Sequence, residues 1–236
     1  MYRVICLLAL TLSLAACDGE QVRGSGNIKT ETRDVGNFTA VQLSGSMNVI
    51  LTKSDKNTVE LEGDDNILEL VETYVEDSKL RIKYKDHFSV WTSRDVTVRV
   101  GLPELTEAVV TGSGDIKGES LFSSDDRVKV QVTGSGDIEL ELDAPEVRAG
   151  VTGSGDIKLS GTTRDIDCST TGSGTIKATD LKSENAKART SGSGDISVYA
   201  SRKVDANITG SGSIKYMGGG TVNSKITGSG SVQAID

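Results

Sequence analysis

The feature that most constrains the fold of this chain is a short glycine motif that returns at a nearly constant interval. Gly-Ser-Gly, followed by a polar residue and then Ile or Val, recurs with successive first glycines 18 to 22 residues apart. A period of this size is typical of solenoids, in which each repeat buries its apolar face only by stacking on its neighbours. The first glycines of the copies are Gly112, Gly134, Gly153, Gly172, Gly192, Gly210 and Gly228.

Apolar and polar residues alternate on both sides of the motif. In the copy at Gly134, every second residue before the motif is valine, and Ile138 follows it. Strict alternation predicts two β-strands per repeat, each with one buried face. Mostly small residues occupy the middle inward position of the first strand, which predicts a narrow interior: Val130, Ala149, Cys168, Ala188, Ala206 and Ser224.

These patterns predict an all-β fold, a single-stranded right-handed parallel β-helix (solenoid) in which each repeat forms one rung. The hand follows from the strong preference of parallel crossovers for right-handed winding. An antiparallel sandwich of hairpins would also explain the glycines, but it would not keep equivalent residues in register at a fixed period. Residues 24–28 and 45–49 resemble degenerate copies of the motif and predict two further corners.

Residues 64–100 break the repeat pattern, and we predict that they form an irregular N-terminal cap or insertion. After Asp64-Asp65-Asn66, apolar residues from Ile67 to Val75 fall at helical spacing, which predicts a short helix. Two strands are expected to follow, near residues 80–85 and 95–100.

The N-terminus has the pattern of a lipoprotein signal. Residues 1–16 combine Arg3 with an apolar stretch of about 11 residues, too short to span a bilayer, and Cys17 follows directly in the motif Leu14-Ala15-Ala16-Cys17. We expect cleavage before Cys17 and lipidation of its sulfur, which anchors the protein to the membrane. Residues 17–26 would then form a lipidated tether and residues 27–236 the body. The expected location is the cell membrane or the outer membrane, with the body in the periplasm or on the cell surface.

Composition excludes several classes of function. The net charge of −8 argues against a nucleic-acid partner. Cys6 leaves with the signal and Cys17 carries lipid, so Cys168 has no partner for a disulfide within the chain. A single histidine gives no support to a zinc site or a Ser-His-Asp triad. We therefore predict a protein that is not an enzyme and has no cofactor.

An aromatic group within the cap is the candidate ligand surface. Tyr84, His87, Phe88 and Trp91 lie within eight residues of a chain that is otherwise poor in aromatics. Aromatic faces bind sugar rings, so a glycan is one candidate partner. The alternative is that these side chains cover the end of the solenoid core.

The repeats also place acidic residues in one column, called the aspartate column below. Asp115, Asp137, Asp156 and Asp195 follow the second glycine of their motifs and are weak candidates for binding a metal such as calcium. The alternative is a turn-capping role in a solvated charge ladder.

The chain continues the repeat almost to its last residue, and a final rung at residues 228–236 would expose unpaired strand edges. We therefore expect that chains associate into a homo-oligomer through the C-terminal rung, or that a partner strand binds there.

The sequence resembles the head GIN domain family over residues 27–236. The resemblance is carried by the opening from Phe38 to Val49, by Asp64-Asp65-Asn66-Ile67-Leu68, by Leu80 to Tyr84, by Pro103-Glu104-Leu105 and by the repeats. It implies an exported bacterial β-helix protein, often a lipoprotein, that acts as the head of an autotransporter-type adhesin, and it brings no catalytic motif. The leading hypothesis is a non-enzymatic envelope lipoprotein whose rigid surface serves adhesion or interaction with an envelope protein. The alternative is a carbohydrate-binding or polysaccharide-processing β-helix.

Overall fold

A computed structural model describes residues 20–235, which form a β-solenoid of about six turns. The predicted parallel β-helix is therefore confirmed. The signal peptide and Cys17 lie outside the described residues. One short helix, α1 (Asp65–Leu68), accompanies the strands. The strands are β1 (Glu20–Arg23), β2 (Ile28–Arg33), β3 (Ala40–Gly45), β4 (Asn48–Lys53), β5 (Thr58–Asp64), β6 (Val71–Glu76), β7 (Lys79–Tyr84), β8 (Phe88–Trp91), β9 (Thr97–Leu102), β10 (Glu107–Gly112), β11 (Asp115–Ser123), β12 (Val128–Gly134), β13 (Ile138–Gly153), β14 (Asp156–Gly172), β15 (Thr175–Lys182), β16 (Asn185–Gly192), β17 (Asp195–Tyr199), β18 (Lys203–Gly210), β19 (Ser213–Met217), β20 (Thr221–Gly228) and β21 (Ser231–Ala234).

Two parallel ladders of strands run the length of the solenoid. Each glycine motif is the corner at which the chain passes from one ladder to the other, and β13 and β14 contribute to both ladders. Ladder A consists of β7, β3, β10, β12, the second halves of β13 and β14, β16, β18 and β20. Ladder B consists of β9, β4, β11, the first halves of β13 and β14, β15, β17, β19 and β21.

The core is a single column between the ladders, filled by the inward side chains of the alternating strands. The small middle positions predicted from the repeat are buried from Val130 to Ala206, whereas Ser224 in the final rung is exposed. Thr170 and Thr190 are buried in the neighbouring inward column. Their hydroxyl oxygens lie 2.6 Å apart, and Thr190 also donates to the Gly194 carbonyl at 3.0 Å. The interior is thus filled by side chains, and the hydroxyl groups of these two threonines have hydrogen-bond partners there.

The order of rungs in space differs from their order in the sequence. β3 pairs with β7 on one side and β10 on the other, and β4 lies in the same way between β9 and β11. Residues 79–84 and 97–100 of the predicted cap therefore belong to the ladders. Antiparallel strands close this end of the solenoid, with β6 beside β7, β5 beside β9, and β2 beside β5.

Two local predictions about the N-terminal region are wrong. The helix expected from Ile67 to Val75 ends at Leu68, and residues 71–76 form β6 instead. Val71, Thr73 and Val75 also fit period two, and a tight turn at Asp77-Ser78, both with positive φ, joins β6 to β7 as a hairpin. Residues 24–28 are not a corner, because the strand that follows them pairs antiparallel with β5.

Candidate functional site

Both glycines of the Gly-Ser-Gly corners are required because the backbone of the preceding rung leaves no room for a side chain. Gly153 has a φ of +121°, which L side chains rarely adopt. A Cβ at Gly153 would overlap the Gly134 carbonyl oxygen, and a Cβ at Gly155 would overlap that of Gly136. The Gly134 carbonyl accepts hydrogen bonds from the amides of Ser154 at 2.9 Å and Gly155 at 3.1 Å. The motif therefore stacks backbone on backbone, and its glycines serve the fold.

The aspartate column lies beside these corners. Each carboxylate accepts a hydrogen bond from the backbone amide at the equivalent position of the next rung, which satisfies an amide at the turn. Within residues 20–235, no group of three or more His, Cys, Asp or Glu side chains is arranged to hold a metal. The donor–acceptor distances are 2.9 Å for Asp137 to Asp115, 2.8 Å for Asp156 to Asp137, 3.1 Å for Thr175 to Asp156 and 3.0 Å for Ser213 to Asp195.

The four residues of the aromatic group point in different directions. Tyr84 packs beneath Gly45, where an added Cβ would lie 3.5 Å from its ring, and burial raises the pKa of its phenol to about 12. Phe88 is half-buried, and His87 is an exposed turn residue with a φ of +71°. Trp91 is 65% exposed. The group therefore does not form one aromatic platform, and Trp91 is its exposed large hydrophobic residue.

A clamp around Asp64 joins the N-terminal segment to the body. The Asp64 side chain is fully buried and accepts hydrogen bonds from the Gly26 amide at 2.7 Å, the Ser93 amide at 2.8 Å and the Ser93 hydroxyl at 2.6 Å. These bonds, above all that from the Ser93 hydroxyl, hold the pKa of Asp64 below its ordinary value of 3.8 despite the opposing effect of burial. Asp64 is thus an ionised, satisfied carboxylate.

The neighbouring residues extend this clamp. Asp65 accepts hydrogen bonds from the Ser25 hydroxyl at 2.6 Å and the Asn27 side-chain amide at 2.7 Å. Asn66 accepts from the Ser25 amide at 2.9 Å and donates to the Arg23 carbonyl at 2.8 Å. Residues 20–26, assigned to the tether from the sequence, therefore fold against the body. The partners lie about forty residues apart, so no local pattern could have revealed the clamp.

Ion pairs between rungs cover the outward face of ladder A. Glu107 lies between Lys79 and Lys129 and pairs with both. Burial favours a higher pKa for Glu107, but the hydrogen bonds from the two lysines outweigh it and lower that pKa. Arg189 pairs with Asp167 at 2.7 Å. These pairs link neighbouring strands across the outward face of the ladder.

A shallow groove crosses ladder A where the outward side chains are small. Gly150 and Ser169 form its floor, and Lys129, Arg148 and Arg189 lie along its sides. Cys168 lies behind this floor, is fully buried, and burial raises the pKa of its thiol. The thiol is therefore shielded from solvent in the folded protein. The groove presents the guanidinium groups of Arg148 and Arg189, which also pair with Glu146 and Asp167.

Residues 37–220 match a family model described as "Putative auto-transporter adhesin, head GIN domain". The chain belongs to the head GIN domain family. The matched range includes both ladders from β3 to β19, so the resemblance seen in the sequence is confirmed. Comparison with curated proteins found no match.

Solved structures share the fold of this head GIN domain protein. A "putative adhesin" from Bacteroides fragilis NCTC 9343 has a TM-score of 0.86 at 27% identity, covering 91% of this chain and 100% of its own. A "putative lipid binding protein" from Parabacteroides distasonis ATCC 8503 has a TM-score of 0.75 at 26% identity, covering 92% and 100%. A "putative adhesin" from Parabacteroides merdae ATCC 43184, at 23% identity and a TM-score of 0.72, covers 92% and 100% and supports the fold alone.

Within residues 20–235, no helix has the length and apolar character needed to cross a membrane. Membership of an adhesin-like family indicates a location at the cell envelope or surface.

Proposed function

We propose that this protein is a non-enzymatic envelope lipoprotein, anchored through Cys17, that presents the outward face of its solenoid for adhesion or protein interaction. The single observation that carries the proposal is the filled interior. The inward side chains pack against each other, and the corners stack backbone on backbone, so binding is left to a rigid exterior. The adhesin description of the family and of its B. fragilis relative supports the same role.

The groove on ladder A is the candidate contact surface. Its floor at Gly150 and Ser169 lets a ligand approach the backbone, and Arg148 and Arg189 supply directional donors at its edges. Rigid surfaces lose little entropy on binding, which favours recognition of a large partner without a deep pocket.

The anchor and the surface are tested separately in cells that lack the endogenous gene. Wild type and a Cys17→Ala variant are compared by metabolic labelling with an alkyne analogue of palmitate and by membrane fractionation. We expect label and membrane association only with Cys17. Equal labelling of both chains would refute the anchor.

The surface test uses adhesion of the complemented cells to a cell layer or to each other. Gly150→Arg fills the groove at a position where a Cβ has only ordinary contacts, and Ser197→Arg is the matched control on the outward face of ladder B. We expect Gly150→Arg to reduce adhesion and Ser197→Arg to retain it. Adhesion that never depends on the protein would refute the proposed role.

A further inference from the structure

We propose that β1, β8 and the exposed Trp91 form the surface of the body that rests on the lipid bilayer, with Trp91 in the headgroup region. The inference rests on the lipid anchor of the proposed function. It adds a contact face and an orientation to that anchor.

β1 begins three residues after Cys17. Three residues span at most about 11 Å, even when fully extended. β1 pairs in parallel with β8 over its whole length, and the two strands are called the ribbon below. At its two ends, the Glu20 amide donates to the His87 carbonyl at 2.8 Å and the Gly24 amide donates to the Trp91 carbonyl at 2.7 Å. The Asp64 clamp then fixes the ribbon to the body. A lipid on Cys17 therefore holds this part of the fold close to the bilayer.

The two faces of the β1–β8 ribbon carry different side chains. Val22 and Val90 face the body and pack against its core. Trp91 faces outward and, at 65% exposure, is the most exposed large hydrophobic residue of those described. Arg23 lies opposite Trp91 in the ribbon, is exposed, and has no ion-pair partner among residues 20–235. An indole beside an exposed guanidinium suits the boundary between acyl chains and anionic headgroups.

The segment that contains β8 replaces a corner of the solenoid. In the repeats, two or three residues connect a strand of ladder A to the next strand of ladder B, as Ser113 and Gly114 connect β10 to β11. In the rung of β7 and β9, Tyr84 takes the register position of the corner glycine beneath Gly45, and residues 85–96 form the connection. This extension is longer than the turn requires, and it carries the exposed indole to the side from which the anchor arrives.

The arrangement sets the direction of the solenoid. The ladders begin at β7 and β9, beside the ribbon, and end at β20 and β21. With the ribbon at the bilayer, the C-terminal rung is the part of the body farthest from the membrane.

Trp91 is the only tryptophan of the chain, so its fluorescence reports its surroundings directly. The lipidated full chain is reconstituted into vesicles of phosphatidylethanolamine and phosphatidylglycerol, with either brominated or ordinary acyl chains. We expect a blue shift of the emission relative to the Cys17→Ser body in solution, and a loss of emission with brominated lipid. A second lipidated chain carries Trp91→Phe and Lys225→Trp, which moves the reporter to an exposed position on the C-terminal rung. Its emission should be the same in both kinds of vesicle.

Flotation of the same vesicles distinguishes failure of the lipid anchor from failure of the proposed contact between the ribbon and the bilayer. A chain that floats and shows quenching of Trp91 but not of the Lys225→Trp reporter supports the inference. A floating chain whose Trp91 emission is unaffected by bromine, or whose two reporters are quenched equally, overturns it and leaves the anchor intact. A chain that does not float overturns the anchor and the inference together.

Discussion

Replacing Gly155 with alanine tests whether the corner stack determines the stability of the solenoid. The added Cβ would overlap the Gly136 carbonyl oxygen and lie 2.8 Å from Cγ1 of Val132, both in the rung below. Relief requires the rungs to separate locally, which also lengthens the hydrogen bond from the Gly155 amide to the Gly134 carbonyl. Overpacking costs typically about 1–3 kcal/mol and a weakened hydrogen bond about 0.5–1.5 kcal/mol. We therefore expect Gly155→Ala to lower the free energy of unfolding by about 2–4 kcal/mol.

The same substitution at Gly150 is the matched control. Its added Cβ would lie 3.6 Å from Ser169 Oγ and 4.0 Å from Gln131 Cγ, which are ordinary contacts, and its φ is not positive. Gly150→Ala should be neutral or stabilise by about 0.4–1 kcal/mol, because it reduces the entropy of the unfolded chain. Urea unfolding of the lipid-free body, followed by far-UV circular dichroism, gives the midpoints and slopes. Equal losses of stability in the two variants would refute the role assigned to corner stacking.

The remaining predictions concern the clamp, the interior, the aspartate column and the C-terminal rung. Asp64→Asn should destabilise the body by about 1–3 kcal/mol. Because folding lowers the pKa of Asp64, its contribution to stability is present above pH 3.8 and is lost as the pH falls through the lower pKa of the folded state. When the pH is lowered from 3.8, the urea midpoint should therefore decrease more steeply for wild type than for the variant. Thr190→Val should cost about 1–3 kcal/mol because it leaves the Thr170 hydroxyl buried without its partner, and adding Thr170→Val should recover most of that loss in the same unfolding assay. Calcium added to chelator-treated protein should leave the thermal midpoint unchanged, because the column already accepts backbone amides; a rise in the midpoint would instead reveal a calcium site. We propose that two chains associate through the open C-terminal rung, where Ile226 is 43% exposed, so sedimentation should detect a dimer that Ile226→Lys abolishes, and a strictly monomeric wild type would contradict this.

The repeated part of the fold was predictable because its signal is both local and periodic. Positive φ at Gly153 and close backbone approach at Gly155 each require glycine, and the inward alternation repeats with them. The corner at Gly45 follows the same rule, since Leu43 and Val49 on either side are buried. The motif at residues 24–28 has similar letters, but the strand after it reads Ile-Lys-Thr-Glu-Thr-Arg, with one apolar residue that is 37% exposed.

The features that sequence reasoning missed depend on distant contacts or on competing periods. The Asp64 clamp joins segments about forty residues apart, and neither segment signals the other. From Val71 to Val75 the spacing of the apolar residues fits both a helix and a strand, and pairing with β7 favours the strand. The aromatic group looked continuous in the sequence, but the chain turns at His87, so Tyr84 and Phe88 are partly buried whereas His87 and Trp91 are exposed.

The placement of β3 and β4 between earlier and later rungs affects how the protein is assembled. The rung they form is synthesised before either of its neighbours, because β7 and β9 follow it in the chain and β10 and β11 follow those. Synthesis also delivers the N-terminal residues first, so this rung has both edges unpaired until residues up to 102 close it on one side. Residues up to 123 then cover the other side, and each later repeat needs only the rung before it. The slow, entropically costly step of folding therefore belongs to the first half of the chain, and growth from β12 onward is addition to a template.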